Sequence, residues 1–367
     1  MESLFDIISP KQKSTDWRWS FSDYPKEKNG LKVFSCFACG GGSTMGYKLA
    51  GCDVLGCVEI DPKMNEIYVK NHHPKYNFCM DIRDFNNLDS KDIPEELFNL
   101  DILDGSPPCT TFSMAGERER AWGKKKKFAE GQAEQTLDDL SFVFIETVKK
   151  LKPKVVIMEN VEGLLLGEAF SYVQKIYDQF MKCGYFVHHF LLKAENMGVP
   201  QTRHRVFFIA IDAKIGIDPS WLDMTFNYMP ITYGEIKEGN LIPMQESMKF
   251  YQIAKKATKE DKSIADTRIR LGEKGSAFQS FYLRNETIVP TIRSKPDLID
   301  IEALSFASPE TIRNAQTFPS DYEFLVFNRK NVGYVCGMSV PPIMMKRIVT
   351  RLIEQGVFDY AKSMQKV

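Results

Sequence analysis

The sequence predicts an α/β protein. A parallel sheet carries helices on both faces, and a smaller domain of mostly irregular and β character follows it. Three observations predict this. From Leu31 onward, short apolar runs alternate with amphipathic stretches, the signature of βαβ units. The runs are nearly continuous in apolar residues, as in strands buried on both faces. From about residue 213 to 290 the alternation stops, and aromatic and charged residues are scattered.

Residues 1–30 are polar and irregular but hold Trp17, Trp19, Phe21 and Tyr24, so they read as an extension packed on the main body. Residues 31–37 form a first strand. A short helix then runs to Ala50 and is closed by Gly51. Residues 54–60 form a second strand, and Asp101, Ile102 and Leu103 a third. Leu137, Leu140, Val143, Phe144, Val148 and Leu151 recur at helical spacing. Residues 155–158 make a buried strand ending in Glu159-Asn160. Residues 206–211 make another, preceded by Gln201-Thr-Arg-His-Arg205, and alternation would set Arg203 and Arg205 on one face. Pro341-Pro342 opens a last helix, with Gly356 at its C-terminal cap. The domains expected are a large one over 1–212, a small one over 213–327, and a segment over 328–367 returning to the large one.

Composition narrows the function. The chain has 367 residues, 43% hydrophobic and 26% charged, which is ordinary for a globular protein. Its 48 basic and 48 acidic residues cancel, so a nucleic-acid partner must be argued from a site. Eight cysteines are too few for a disulfide scaffold. There is no basic, apolar leader and no run of about 18 apolar residues, so a reducing cytoplasmic setting without a membrane span is expected. Cys36-x2-Cys39 and Cys52-x4-Cys57 could be offered as a four-thiolate zinc site. The first pair straddles a strand end and a glycine loop, and the second flanks a strand, so no metal is expected.

The chemistry gathers at strand ends. Each apolar strand finishes in glycines or polar residues: Gly40, Gly41 and Gly42; Glu59; Asp104 to Cys109; Glu159-Asn160. In open α/β sheets ligands bind outside the carboxyl ends of the strands. A glycine loop lets backbone approach a ligand, and Glu59 on the next strand suits ribose hydroxyls. That pairing fits NAD and S-adenosylmethionine alike. A lone cysteine is usually a small buried hydrophobe. Cys109 differs because Pro107-Pro108 stiffen the loop that presents it at a strand end. The stretch 110–132 is polar and glycine-containing. Within 117–130 six positive residues face three negative ones, including Lys124, Lys125, Lys126 and Lys127, as suits a lid against phosphates.

Together these motifs resemble the DNA cytosine-5 methyltransferases, over residues 31–211 and 304–355. The components, in the family's order, are Phe37-Ala-Cys-Gly-Gly-Gly42, Val58-Glu-Ile-Asp61, Asp81-Ile82, Pro107-Pro-Cys109, Glu159-Asn-Val161, Gln201-Thr-Arg-His-Arg205, Gln316-Thr-Phe-Pro319 and Gly337-Met-Ser-Val-Pro-Pro342. A cysteine after Pro-Pro separates attack on carbon from amino-group methylation, which places an aromatic residue there. The resemblance implies a class I S-adenosylmethionine-dependent methyltransferase fold and a target-recognition role for residues 213–300. Cys109 would add to C6 of a flipped cytosine. Glu159 would hold N3 and the exocyclic amine, with a raised pKa in a closed site. Arg205 would bind O2, and Arg203 would support the glutamate and the cysteine loop.

The resemblance also implies a cofactor site of Phe37, Ala38, Cys39, Gly40, Gly41, Gly42, Glu59, Ile60, Asp81, Ile82, Pro107, Ser339 and Val340, yielding S-adenosylhomocysteine. Contacts to double-stranded DNA would involve Ser113, the four lysines, Asn160 and Gln201. The protein implied is a monomer, prokaryotic or phage-encoded, with at most a functional link to a restriction endonuclease. Cys39 stands where the loop commonly has Gly, Thr110 where Gln is frequent, and Met338 where Asn is usual. Pro309-Glu310-Thr311 departs from the usual Pro-Arg-Glu.

Other classes use less of the pattern. A nicotinamide oxidoreductase leaves Pro-Pro-Cys and Gln-x-Arg-x-Arg unused. A nucleic-acid-binding relative without activity has no need of Cys109, Glu159, Arg203 and Arg205. A tRNA cytosine-5 methyltransferase of the same fold is the alternative within the class.

Overall fold

The computed structural model describes residues 12–108, 140–277 and 280–359. The chain divides into two units. The sheet unit holds Tyr24–Lys193, His204–Thr225 and Met345–Val367; the second unit holds Met1–Asp23, Ala194–Arg203 and Phe226–Met344.

The strands of the sheet unit are β1 (Lys32–Cys36), β2 (Asp53–Val58), β3 (Tyr76–Phe78), β4 (Ile102–Gly105), β5 (Val155–Val161) and β6 (Tyr185–Lys193). After the two-residue β7 (Gln201–Thr202) of the second unit comes β8 (His204–Asp212). The spatial order is β3-β2-β1-β4-β5-β8-β6. β1 to β5 pair in parallel, whereas β8 runs antiparallel to both β5 and β6. The expected parallel sheet is therefore corrected to a mixed one at one edge. The run 206–211 is buried along its whole length, so its composition carries no sign of direction.

Register positions the site. Cys36 lies level with Val58 and with Gly105, and Gly105 lies level with Met158. Phe37, Glu59 and Ser106 thus leave one end of the sheet in a row, level with Glu159 on the longer β5, at the end where the sequence converges its motifs.

Helices cover both faces. Phe34 and Cys36 point into a core with α3 (Ile82–Asn87), α4 (Leu140–Leu151) and α5 (Phe170–Lys182), which holds Phe85, Phe144, Val148, Ile176 and Phe180. Each fully buried side chain of this size contributes about 1.5–3 kcal/mol. Ser35 points the other way, toward α1 (Gly42–Leu49), where Tyr47 is fully buried. α2 (Pro62–His72) follows β2, capped by Asp61, whose carboxylate accepts from Lys63 and Met64 N–H.

The second unit is built from short pieces. β9 (Ile242–Pro243), β10 (Ser280–Leu283), β12 (Asp297–Asp300) and β13 (Ser305–Phe306) form a sheet ordered β10-β12-β13-β9, and β11 (Val289–Pro290) pairs with β7. Met244, Ile253, Ile264, Tyr282 and Ile299 fill its core. The N-terminal aromatics pack here. Trp19 Nε1–H donates to the Thr317 carbonyl at 2.8 Å, and Phe21 lies 6.4 Å from Tyr322.

The chain passes between units after Asp23, Lys193, Arg203, Thr225 and Met344. Residues 194–203 leave the sheet so that β7 can pair with β11. Residues 213–225 stay with the sheet, where the Asp223 carboxylate accepts from Arg351 of the helix Pro342–Glu354 and the Asp223 N–H donates to Gln355 Oε1 in the turn that follows it. Among the described residues no helix is long and apolar enough to cross a membrane.

Candidate active site

The glycine loop follows β1. Phe37 N–H donates to the Val58 carbonyl at 3.0 Å, and the backbone then turns through φ +56° at Phe37, +47° at Cys39 and +81° at Gly41. Left-handed backbone at two non-glycine residues stores strain of the kind found beside ligands. It also explains Cys39 as a departure, since glycine takes that conformation at less cost. Gly41 is required twice over, by its φ and because a Cβ there would sit 2.0 Å from His72 Nε2.

Glu59 anchors the loop. Its Oε2 accepts the Cys39 N–H at 2.7 Å and its Oε1 accepts the Asp61 N–H at 2.9 Å. Burial pushes this carboxyl up to about 7, and the backbone N–H groups partly hold it down. Phe37, Val58, Ile60, Met80, Asp81, Ile82 and Leu140 line a concavity beside it. Asp81 also caps α3, accepting the Arg83 N–H at 2.8 Å. An aromatic ring, apolar walls and the Asp81 carboxylate line it, the kinds of group that an adenosine would meet. The sequence-derived set Phe37, Ala38, Cys39, Gly40, Gly41, Gly42, Glu59, Ile60, Asp81 and Ile82 thus falls within the sheet unit, on β1, β2 and the elements that follow them.

At the next strand ends, Gly105 exists because Phe144 packs where a Cβ would point, 2.3 Å away. β4 then passes through Ser106 to Pro107 and Pro108. Cys109, Ser113, Lys124, Lys125, Lys126 and Lys127 lie outside the described residues. On β5, Glu159 Oε1 pairs with Arg205 Nε at 2.7 Å, with both side chains largely buried. Glu159 is opposite Phe207, so Arg205, two residues along β8, shares its face. The same guanidinium donates through Nη1 to the His204 carbonyl at 2.7 Å. Asn160 folds back, its Oδ1 accepting the Val161 N–H at 2.8 Å.

Arg203 and Arg205 do not share one strand face. β8 begins at His204, and Arg203 belongs to the second unit, where it donates to the carbonyls of Ile292 (3.2 Å) and Gly337 (3.4 Å). Gln201 is fully buried there. Its Nε2 donates to Gln316 Oε1 at 2.7 Å, and its Oε1 accepts the Ile292 N–H at 2.9 Å. Both ends of that carboxamide are thus hydrogen-bonded within its own unit. Ser339 and Val340 are buried in the same unit, the Ser339 carbonyl accepting Gln316 Nε2 at 2.7 Å.

Three residues of consequence carry no role in the sequence reading, two of them although it names them. Asp104 is buried in β4, with Oδ2 accepting Ser35 Oγ–H at 2.6 Å and Oδ1 accepting Tyr47 O–H at 3.1 Å. Burial pushes its carboxyl up to about 7. A lone acid in an apolar strand was the available signal. Gln316 ties Gln201 to Ser339, and its place in a quoted motif was the signal. His72 had none, being the last residue of an amphipathic helix.

The thiols of Cys36 and Cys57 are pushed up by burial, and that of Cys52 to about 12. Among the described residues no group of three or more His, Cys, Asp or Glu could hold a metal ion.

The level strand ends, the strained glycine loop and the carboxylate on β2 define an α/β fold of the class I S-adenosylmethionine-dependent methyltransferase type. Residues 31–354 match the family described as C-5 cytosine-specific DNA methylase, and the chain belongs to that family. It is similar to the Type II methyltransferase M.DdeI of Desulfomicrobium norvegicum, 32% identical over 57% of this chain and 47% of that protein. It is also similar to the Type II methyltransferase M.NgoFVII of Neisseria gonorrhoeae, 27% identical over 93% of this chain and 88% of that protein. Against the first of these the matching region spans about half of the relative's length. The fold is like that of a DNMT2 of Spodoptera frugiperda, with TM-score 0.62 and 16% identity over 88% of this chain and all of that one. It is like that of Entamoeba histolytica methyltransferase EhMeth, with TM-score 0.58 and 14% identity over 89% of this chain and 99% of that one.

Proposed function

We propose that this protein transfers a methyl group from S-adenosylmethionine to C5 of cytosine in double-stranded DNA, in a cytoplasmic setting. The observation that carries the reading is the row of strand ends. It brings Glu59 with the glycine loop, the Pro107-Pro108 lead and the Glu159–Arg205 pair to one end of one sheet.

The aromatic and apolar lining beside Phe37 supports an adenine-binding role, and Glu59 would take ribose hydroxyls, because each of its oxygens accepts one N–H and keeps a second lone pair. When bound, the cofactor supplies an electrophilic methyl carbon on a sulfonium. C5 of cytosine is too poor a nucleophile to take it unaided. Cys109 would supply what is missing by forming a bond from sulfur to C6, which moves the C5–C6 electron pair onto C5. Glu159 would hold N3 and the exocyclic amine of the flipped base while negative charge develops on the ring, and Arg205 would keep that carboxylate in place and contact O2. Loss of the C5 proton and elimination of the thiol would restore the ring. The second unit would supply target recognition.

The test is methyl transfer from labelled S-adenosylmethionine to duplex DNA and, in parallel, to tRNA. Transfer to DNA with loss of turnover in Cys109→Ser, at unchanged S-adenosylhomocysteine affinity, is the expected result. Duplex DNA carrying 5-fluorocytosine should trap a covalent complex, since fluorine cannot leave as a proton does. Transfer to tRNA alone, or full turnover by Cys109→Ser, would overturn the reading.

A further inference from the structure

We infer that His72 is a positioning residue for the cofactor loop, holding its shape through a hydrogen bond from Nε2–H to the Gly40 carbonyl. This rests on the reading of the glycine loop as the S-adenosylmethionine site.

His72 ends α2 and is fully enclosed, with Nε2 3.1 Å from the Gly40 oxygen. A carbonyl can only accept, so the proton sits on Nε2. Burial, with Lys48 nearby, pushes the imidazole down to about 3, so the ring stays neutral and in this tautomer throughout the working range. Its orientation is fixed from two sides. Tyr68 meets it edge-on with centroids 4.7 Å apart, and Lys48 Nζ–H donates to the His72 carbonyl at 2.9 Å. The next residue of the loop, Gly41, presses its Cα hydrogen against the same ring, where no Cβ fits.

α2 is thereby fastened to the loop at both ends. At its start Glu59 bridges the Cys39 and Asp61 N–H groups, and at its end His72 holds Gly40. Between them Tyr68 and Thr44 hydroxyls bond at 2.9 Å, tying α2 to α1. The two end fastenings differ in kind. Glu59 is the group that ribose hydroxyls would engage, so its hold on the loop changes when a nucleoside arrives. His72 donates its Nε2–H to the Gly40 carbonyl, a bond that ribose hydroxyls would not compete for at a neutral ring. A loop carrying left-handed φ at Phe37, Cys39 and Gly41 relaxes unless something restrains it, and His72 is the restraint that ligand binding leaves in place.

Three variants of the full chain, read by calorimetry with S-adenosylhomocysteine, test this. Gln carries an N–H donor at the reach of Nε2, Met has the same length without a donor, and Asn carries the donor one bond short. His72→Met and His72→Asn should each weaken binding about tenfold, the effect of one lost hydrogen bond. His72→Gln should stay within about threefold of the native protein. KM for S-adenosylmethionine should follow the same order, with kcat at saturating cofactor changing less than twofold. Equal affinity across all three variants, or losses that track only the melting temperature of the ligand-free proteins, would overturn the inference. If His72→Met does not fold, the contrast of Gln with Asn decides it. Failure of the native protein to bind S-adenosylhomocysteine would instead remove the reading on which the inference rests.

Discussion

Glu59 and Glu159 occupy corresponding stations in the sheet and live in opposite surroundings. One follows Val58 on β2, the other follows Met158 on β5, and those two residues lie level across the sheet. Both are buried. Among the described residues Glu59 is held by neutral backbone donors, whereas Glu159 has the Arg205 guanidinium at 2.7 Å. A buried carboxylate without a cation is costly, and one with a cation is compensated. Glu59 is thus prepared to gain from further donors, such as hydroxyl groups. Glu159 is already neutralised as a pair and fixed in direction. The same residue type at the same kind of strand end serves two tasks, and its surroundings decide which.

The largest expected effect breaks the β5 side. Glu159→Gln should lower kcat by roughly 10²- to 10³-fold in a steady-state methylation assay, as loss of a positioned acid–base group does. Arg205→Ala, which leaves the carboxylate uncompensated, should in addition destabilise the protein by roughly 3 kcal/mol in urea unfolding. Unchanged stability there would place the pair in solvent and erase the contrast with Glu59.

Next comes the β2 side. Glu59→Gln should raise KM for S-adenosylmethionine by roughly 10- to 100-fold with little change in kcat, the loss expected for hydrogen bonds to a charged group. Its titration sharpens the comparison further. Glu59 moves from 4.5 to about 7 on folding. Between those values the folded chain keeps a proton that the unfolded chain has lost. The associated stability is full below about 4.5 and is lost as pH rises through 7, on the order of 3 kcal/mol in all. Asp104, also raised to about 7, adds a contribution of the same sign. Thermal unfolding between pH 5 and 8 should therefore show a smaller decline in Glu59→Gln than in the native chain. Affinity for S-adenosylhomocysteine should rise several-fold from pH 6 to 8 in the native protein and stay level in the variant.

The smallest effect concerns the loop itself. Cys39→Gly should raise stability by about 1 kcal/mol, because glycine adopts the left-handed backbone without the Cβ clash. A lower melting temperature would mean that the Cys39 side chain contributes more by packing than its backbone costs.

Much of the sheet unit was legible because its strands are short apolar runs with polar ends. The helix after the glycine loop ends at Leu49 with Gly51 at φ +84°, where the sequence places its close. β3 and β6 escaped notice because they are half-buried edge strands. β6 in particular leaves Phe186 and Leu191 exposed and carries His188 and His189. Glu59, Glu159 and Arg205 were legible as chemistry. Arg203 and Gln201 were legible as a motif but not as contacts, because strand alternation breaks where the chain changes unit at His204.

By itself the sequence determined the alternation of strand and helix, the end of the sheet where polar residues collect, and the kinds of side chain gathered there. These follow from local pattern, since burial on two faces and turn chemistry are written in neighbouring residues. Only the tertiary structure decided that β8 runs against its neighbours, that Arg205 meets Glu159 while Arg203 serves another unit, and that His72 lies against Gly40. Those outcomes depend on register and on contacts between residues distant in the chain, which no local pattern encodes.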